Sequence, residues 1–283
     1  MATTQNTVRV EKASEWAQSF GIATWTKFRR NSEPEQSIFL PLNVWGHSLR
    51  RPICGPIIES PQDYFLAIAW RSQEEWDKFQ SSPEHQELMV RLTTENVQPD
   101  TKIMVFNSNI FTLGCTSNTE MFTVYWPASI NLETQNTVYN IKQLVHTPAS
   151  GIPNPRCYKR HPSFGWVDGL QDWNGEKVIA TVWLHKWKNE ELEQKFKQTE
   201  KRLVYGDSGS HRLLAVDAFR HDLQALGAVG WESIHVAFDS IRVVDEDATQ
   251  YELRLHAEAA EAAEARSATR SMKELQISEP SSQ

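Results

Sequence analysis

The chain has 283 residues, 40% of them hydrophobic, and its 29 basic and 36 acidic side chains give a formal net charge of −7. This length can form one large domain or two of about 100 to 150 residues. The acidic balance, without a run of lysine and arginine, argues against a nucleic-acid partner. The N-terminal residues lack the pattern of a secretory signal, and no apolar run approaches the ~20 residues that cross a bilayer. We therefore expect a folded, cytoplasmic protein with neither a nucleic-acid nor a membrane partner.

The three cysteines, Cys54, Cys115 and Cys157, are isolated in the sequence and show no C-x-x-C spacing. This pattern argues against a disulfide framework and against a zinc site, and it fits a reducing compartment. Eleven tryptophans are a large number for this length. They indicate either a core of large rings or an aromatic cavity for a flat hydrophobic ligand, and both can hold in one molecule.

The first sixty residues predict one helix followed by mostly irregular chain. Residues 13–28 carry apolar side chains at helical spacing, which predicts an amphipathic helix. The apolar residues 38–42 indicate a strand edge that tolerates Pro41. Residues 44–60 contain two glycines and two prolines. They predict a long loop, with a strand at residues 57–58 as the alternative.

The next tract predicts a strand, a broken helix and a second strand. Residues 64–70 are apolar on both faces, as in a strand that is covered on each side. Ser72 and Glu75 have the form of a capping box, in which the glutamate reaches back to the serine N–H. The helix is interrupted at residues 81–83 and then resumes, and residues 103–106 are the second strand.

The second half has a similar pattern in a longer form. Residues 121–126 predict a strand, and Asn131 precedes a helical pattern. Asn174-Gly175 is a strong hairpin signal, which predicts that the strands at 157–167 and 178–187 pair. The remaining predictions are a loop at 205–210, a helix at 213–226, a closing strand at 234–238 and an exposed helix or disordered tail beyond residue 245.

Residues 69–88, AWRSQEEWDKFQSSPEHQEL, resemble a strand-to-helix tract of the dimeric α/β-barrel superfamily. This superfamily includes antibiotic-biosynthesis monooxygenases, stress-responsive A/B-barrel proteins and some polyketide cyclases. The resemblance covers a small part of the chain and implies a ferredoxin-like unit. It says little about the reaction, because one fold hosts many chemistries.

An internal repeat is indicated by residues 70–79, which align without gaps on residues 187–196. Both segments begin with Trp, carry a helix-capping residue at the third place and end with Phe. With the resemblance, this predicts an α+β fold in which two fused ferredoxin-like repeats pack sheet to sheet as a single-chain α/β barrel. Whether this single-chain barrel also forms a homodimer stays open. The expected division is 1–115 for the first repeat, 116–247 for the second and 248–283 for an Ala/Glu-rich helical or disordered tail.

His85 is a candidate catalytic residue because of the resemblance. A cyclase of the superfamily has an acid/base histidine at the matching place and a tyrosine six residues earlier. That earlier place is Phe79 here, so the mechanism does not carry over whole. A histidine at this place can also simply hydrogen-bond neighbouring backbone.

Strand alternation supplies the second set of candidates. Trp183, His185 and Trp187 share one face of a predicted strand, and His235 and Asp239 share one face of another. If both faces point into the barrel, a histidine that Asp239 orients could act as a general base near neutral pH. The alternative is that these faces point to helices or solvent. The full expected substrate-binding set is Trp70, Tyr125, Tyr158, His161, Trp183 and Trp187.

The absence of motifs narrows the expected chemistry. The sequence has no nucleotide-binding, zinc-protease or α/β-hydrolase motif, and no histidine stands out as a haem ligand. We expect a cofactor-independent and metal-free tailoring enzyme of secondary metabolism, a cyclase, isomerase or lyase that acts on a hydrophobic polyketide- or terpenoid-like intermediate by histidine-centred acid/base catalysis. The alternatives are a cofactor-free monooxygenase of a phenolic substrate and a non-catalytic ligand-binding or stress-response protein.

Overall fold

The computed structural model describes residues 21–94, 97–106, 117–141, 157–206 and 209–244, and six further residues between 250 and 261. The strands are β1 (Ile22–Arg29), β2 (Leu49–Ile57), β3 (Ser60–Trp70), β4 (Asp100–Phe106), β5 (Thr119–Pro127), β6 (Tyr158–Val167), β7 (Gln171–Trp173), β8 (Glu176–Trp187), β9 (Glu200–Gly206), β10 (Gly209–Leu214), β11 (Gly230–Val236) and β12 (Asp239–Ser240). The helices are a 3₁₀ helix (Gln36–Trp45), α1 (Gln73–Gln80), α2 (Pro83–Leu92), α3 (Leu132–Asn140), α4 (Glu190–Lys197) and α5 (Ala215–Ala225).

Eight of these strands form a closed antiparallel barrel. Their order around it is β11–β5–β8–β6–β4–β1–β3–β2, and the pairing of Val236 with Ile57 joins β2 to β11 and closes the circle. Strands β7 and β12 extend the sheet at β8 and β2, and β9 pairs with β10 in a separate hairpin. Closure gives every barrel strand two neighbours, so no barrel strand is left as a free edge. The protein is therefore an α+β protein built on a barrel.

The two halves contribute four barrel strands each. The order is β4–β1–β3–β2 in the first half and β11–β5–β8–β6 in the second. The halves meet at two seams, β4 with β6 and β2 with β11, so the barrel needs both. The expected boundary between residues 115 and 116 lies outside the described residues, and the division into domains stays a prediction.

Side-chain alternation along the strands builds two separate cores. On β8, Val178, Ala180 and Val182 join the inner core of the barrel, whereas Ile179 and Trp183 join an outer core between the barrel and the helices. The outer core holds most of the fully buried tryptophans. The large rings therefore serve mainly to pack helices onto the barrel, and only a few line its interior.

Helices α1 and α4 begin in the same way at the ends of β3 and β8. Oγ of Ser72 accepts a hydrogen bond from Glu75 N at 3.2 Å, and Oδ1 of Asn189 accepts one from Leu192 N at 2.9 Å. The predicted cap at Ser72 and the predicted break between α1 and α2 are confirmed. The reciprocal half of the capping box, a bond from the Ser72 N–H to the Glu75 side chain, is not confirmed. The carboxylate of Glu75 instead accepts a hydrogen bond from Ser48.

The Asn174-Gly175 hairpin signal is also confirmed. Both residues have positive φ, of 51° and 84°, and they connect β7 to β8. Strand β6 then pairs with β8, as the sequence predicts. The predicted helix and closing strand near the C-terminal end correspond to α5 and β11. Among the described residues, no helix combines the length and the hydropathy that a membrane span requires.

The predicted helix at residues 13–28 is wrong over its described part, which is strand β1. Its apolar side chains at 22, 25 and 28 fit a helical spacing, but Trp25 faces the barrel interior and Ile22 and Phe28 face outward. The strand forms because β1 pairs with β3 on one side and β4 on the other.

Two further predictions in the first half are wrong. Residues 38–42 lie in the 3₁₀ helix rather than in a strand edge. Residues 49–57 form strand β2 rather than a loop. The register of β2 against β3 shifts between Arg50 and Ile53 and again between Pro56 and Ile57, and such bulges are where a strand accommodates proline.

Candidate functional site in the barrel

One mouth of the barrel leads into a cavity of about 380 Å³. This volume lies within the range of small-ligand sites. The walls come from both halves of the chain, with β1, β3 and β4 on one side and β5, β8 and β11 on the other. Apolar side chains line the buried part, and charged side chains surround the rim.

The buried part of the cavity is formed by residues such as Met104 and Val182 and by the ring of Trp25. Trp25 is 1% exposed and packs edge-on against Phe65 and Phe238, at centroid distances of 6.1 and 5.6 Å. Its Nε1 has no hydrogen-bond partner among the described residues. A buried donor in this state costs about 1–3 kcal/mol.

Tyr125 and Glu232 form a hydrogen-bonded pair in the cavity wall. They lie on the adjacent strands β5 and β11, and Tyr125 Oη donates to Glu232 Oε1 over 2.6 Å. The Tyr125 ring stacks on Trp173 at a centroid distance of 4.0 Å. Burial, followed by the hydrogen bond and the charge of Glu232, raises the pKa of Tyr125 far above its ordinary value. The phenol therefore stays protonated and donates. Oε2 of Glu232 has no partner among the residues that the structure describes.

Glu59 is a carboxylate that is held in place at the rim. It lies in the turn between β2 and β3 and accepts hydrogen bonds from Nδ1 of His235 at 2.6 Å and from the His235 backbone N at 2.9 Å. Burial raises the pKa of Glu59, but the bonds from His235 outweigh this and lower it. The rim also carries Lys27, Asp100 and Lys102, so charges of both signs surround the opening.

The structure places Tyr125, from the predicted substrate-binding set, in this cavity. Trp70, Tyr158, Trp183 and Trp187 instead lie in the outer core against the helices. The face of β8 that was expected to line the cavity is its outward face. Alternation cannot distinguish the two faces of a strand that is buried on both sides. The substrate-binding roles expected of these four residues stay predictions, and the four side chains lie outside the cavity.

His185 and His235 lie outside the barrel as well, on either side of the buried carboxylate of Glu120. The three are cross-strand neighbours on β8, β5 and β11. Nδ1 of His185 is 3.3 Å from Oε2 of Glu120. Helix α4 adds Glu193 and Lys197, and Nζ of Lys197 lies 2.8 Å from Glu120 and 2.5 Å from Glu193. We call these five residues the buried charge cluster.

The charge of Glu120 is stabilised by its neighbours. Burial raises the pKa of this carboxyl group, but the contacts with His185 and Lys197 outweigh burial and hold the pKa well below its ordinary value. Lys197 in turn has a raised pKa, because the two carboxylates outweigh the effect of its burial. The cluster therefore holds α4 against the barrel by buried ion pairs.

The expected pairing of a histidine with Asp239 is not what the described structure shows. Asp239 is exposed on β12 and lines a separate cavity of about 450 Å³ beside Cys54 and Tyr64. His235 bonds to Glu59 and Glu193 instead. The catalytic role expected of Asp239 stays a prediction.

His85 lies at the start of α2, away from the barrel. Its ring packs edge-on against Trp76 and Phe79, at centroid distances of 5.7 and 5.3 Å, and its burial lowers its pKa. His161 belongs to β6, and its side chain lies outside what the structure describes. The catalytic role of His85 and the binding role of His161 stay predictions.

A metal ion would find three ligand groups in the buried charge cluster. The ligand atoms of Glu120, Glu193 and His235 lie within 4.8 Å of one another. The ammonium of Lys197 already bonds to both carboxylates. A metal ion would have to displace this cation, so the geometry favours an ion-pair cluster.

Sequence reasoning missed most residues of the cavity, among them Trp25, Glu59 and Glu232. Trp25 was assigned to a helix and Glu59 to a loop, so neither could be given an inward face. Glu232 lies two residues from Ile234 on β11, and the same alternation that places Ile234 inward would have found it.

Comparisons with known proteins give no assignment. No protein-family model and no curated protein matches the sequence. Matches among solved structures include a protein of Lactobacillus acidophilus provisionally named a monooxygenase, with 7% identity, a TM-score of 0.45 and coverage of 79% of this chain and 96% of that one. An anthrone oxidase-like protein matches with 12% identity, a TM-score of 0.45 and coverage of 80% and 95%. A provisionally named chlorite dismutase matches with 8% identity, a TM-score of 0.46 and coverage of 78% and 96%. At these values the likeness assigns neither a family nor a reaction to this chain.

Proposed function

We propose that the protein is a cofactor-independent enzyme that removes a proton from a flat, hydrophobic ligand in the barrel cavity. The pair Tyr125–Glu232 carries this proposal, because it places an exposed carboxylate with an uncommitted oxygen where the cavity opens onto its apolar walls. The reaction class is that of a cyclase, isomerase or lyase, and the ligand class is a polyketide- or terpenoid-like intermediate.

Binding would come mainly from the apolar part of the cavity. Rings of the ligand would pack against Trp25, Met104 and Val182, and each Å² of apolar surface removed from water contributes roughly 25 cal/mol. Packing of these rings against the walls orients the ligand relative to Glu232.

The acid/base step falls to Glu232 rather than to the histidines expected from the sequence, since no histidine is among the described side chains that line the cavity. Oε2 of Glu232 takes the proton from an acidic C–H or O–H group, while Tyr125 holds Oε1. This is general base catalysis by a positioned side chain. Return of the proton to another carbon gives an isomer. Attack of the carbanion on a carbonyl carbon of the same ligand, with return of the proton from Glu232 to the resulting alkoxide, gives a ring.

A cofactor-free monooxygenase is the second candidate, and the apolar buried end of the cavity favours it because a deprotonated, electron-rich ring can meet O₂ there away from water. In that reaction the anion is oxidised by O₂, one oxygen atom enters the ligand and the other leaves as water. Both candidates share the deprotonation by Glu232.

We also propose that the two halves are fused ferredoxin-like repeats. Support comes from the shared strand order, in which the last strand of each half lies beside the first and the second beside the third. The matching side-chain caps of α1 and α4 support it too.

Anthrone provides the test of the function, because the CH₂ group between its rings is acidic. We expect the protein to accelerate deuterium exchange at this CH₂ about a hundredfold in D₂O without oxygen, measured by mass spectrometry. Glu232→Gln should reduce exchange nearly to the buffer rate, and Tyr125→Phe should reduce it partly.

The matched controls are Glu133→Gln and Tyr139→Phe, on the surface of α3, which should keep full activity. Oxygen uptake with anthrone would identify the monooxygenase. Binding of anthrone without faster exchange or oxygen uptake would contradict both enzyme proposals and leave a ligand-binding protein.

A further inference from the structure

The rim of the cavity carries a second fixed carboxylate, which the proton transfer above does not use. Glu59 accepts a hydrogen bond from Nδ1 of His235 and one from its backbone N–H, which the two carboxylate oxygens share at 2.9 and 3.1 Å. The chain turns at Glu59 between two barrel strands, and its side chain lines the cavity. A carboxylate that is tied from one side in this way keeps a defined position.

His235 is tied from its other side to the interior of the protein. Its Nε2 lies 2.9 Å from Oε1 of Glu193, a side chain that is 1% exposed on α4. Glu193 and Glu120 share the ammonium of Lys197. An unbroken series of hydrogen bonds thus runs through the buried charge cluster, from Glu120 by way of Lys197, Glu193 and His235, to Glu59 at the rim.

The two bonds of the His235 ring require its protonated form. Both ring nitrogens face carboxylate oxygens, and only an imidazolium donates from both. The charged groups around the ring are Glu59 from the β2–β3 turn, Glu193 and Lys197 from α4 and Glu120 from β5. Burial lowers the pKa of His235, but the bonds to Glu193 and Glu59 outweigh this and raise it to about 9.

We propose that His235 is a positioning residue that fixes the Glu59 carboxylate at the rim, and that Glu59 makes the cavity selective for ligands whose outward end carries a hydroxyl group. This inference rests on the proposed function only in that the ligand occupies the same cavity. A carboxylate offers acceptors and no donor. A bound ligand with a hydroxyl there donates a hydrogen bond to Glu59, whereas a ligand with an ether covers the outward lone pairs of the carboxylate and gives them no donor.

The test compares naphthalene-2-methanol with its methyl ether, two neutral compounds that differ at that end only. We expect the wild-type protein to bind the alcohol about tenfold more tightly at pH 7, since an unpaired polar group costs about 1.4 kcal/mol or more. Fluorescence titration measures both affinities. Glu59→Ala should abolish the preference while leaving the affinity for the ether nearly unchanged.

His235→Gln should also reduce the preference for the alcohol severalfold. Glutamine keeps a polar side chain but lacks the positive charge that holds the Glu59 carboxylate. His221→Gln, on the exposed surface of α5, is the matched control. The preference of the wild-type protein should fall as the pH rises through about 9, where His235 loses its proton, and in His235→Gln it should not change with pH. A purely structural role of His235 would not produce this difference.

The outcomes separate the two proposals. Equal binding of alcohol and ether by the wild-type protein, or an unchanged preference in Glu59→Ala, overturns the role of Glu59 and His235 and leaves the Glu232 chemistry standing. Failure of the wild-type protein to bind either compound or anthrone overturns the cavity as a ligand site, and with it this inference. The pH titration needs no variant, so poor folding of His235→Gln would not leave the proposal undecided.

Discussion

Glu120 shows how one buried carboxylate joins strands and helix at the scale of a residue. It accepts hydrogen bonds from Lys197 Nζ at 2.8 Å, Ser233 Oγ at 2.7 Å and Trp187 Nε1 at 2.9 Å. Its pKa is lowered on folding, so its charge stabilises the fold at neutral pH, and this stabilisation is lost as the pH falls below the ordinary value of 4.5. We expect Glu120→Gln to lower the free energy of unfolding by about 3 kcal/mol at pH 7, because Lys197 loses one of its two buried carboxylate partners. The free energy of unfolding should also fall less steeply in acid than in the wild-type protein. Urea unfolding at several pH values measures both effects, with Glu133→Gln as the control. A variant with the wild-type pH profile would show that Glu120 does not carry this dependence.

At the scale of elements, the seam between β2 and β11 depends on the missing side chain of Gly55. A Cβ atom there would lie 2.1 Å from the carbonyl oxygen of Ala237. This obstacle is backbone, and next to it Ala237 N donates to Pro56 O at 3.1 Å. The strands would therefore have to separate. We expect Gly55→Ala to lower the free energy of unfolding by about 1–3 kcal/mol and to weaken anthrone binding, since the seam borders the barrel. Urea unfolding and fluorescence titration check this, with the exposed Ser240→Ala on β12 as control. Unchanged stability would mean that the seam can widen without cost.

At the scale of the whole molecule, the barrel makes one folding unit of the two halves, because its inner core draws on strands from both. We expect a single cooperative unfolding transition, at the same urea concentration by circular dichroism and by tryptophan fluorescence. Leu92→Ala in the first half and Leu223→Ala in the second remove side chains that are fully buried. Each should shift this one transition to lower urea, with a loss of about 2–5 kcal/mol. Two separate transitions, each sensitive to only one substitution, would instead establish independent domains.

The parts of the fold that local sequence specifies were predictable. The cap at Ser72 and the hairpin at Asn174-Gly175 depend on a few neighbouring residues and on backbone conformations that these residues favour. Strand β1 was missed because the spacing of its apolar residues fits two periods. Pairing with β3 and β4, far away in the sequence, decides between them.

The candidate site was predictable only in part. Tyr125 was identified as a cavity residue, while Trp183, His185 and Trp187 of β8 were expected to point inward and lie on its outward face. Both faces of β8 are buried, so hydrophobicity alone cannot orient the strand. Glu59 and Glu232 were missed because each acquires its partner from another strand, 176 and 107 positions away in the chain.

The sequence by itself determined that the chain forms an α+β protein with aromatic cores, and it determined where several strands end and helices begin, because side-chain type and short-range backbone preference decide these features. Only the tertiary structure decided which face of each strand points inward. Closure of the barrel sets that choice for all eight strands together, since each strand must match the register and alternation of two neighbours. The same closure brings Trp25, Tyr125 and Glu232 to one cavity and leaves His185 and His235 outside it.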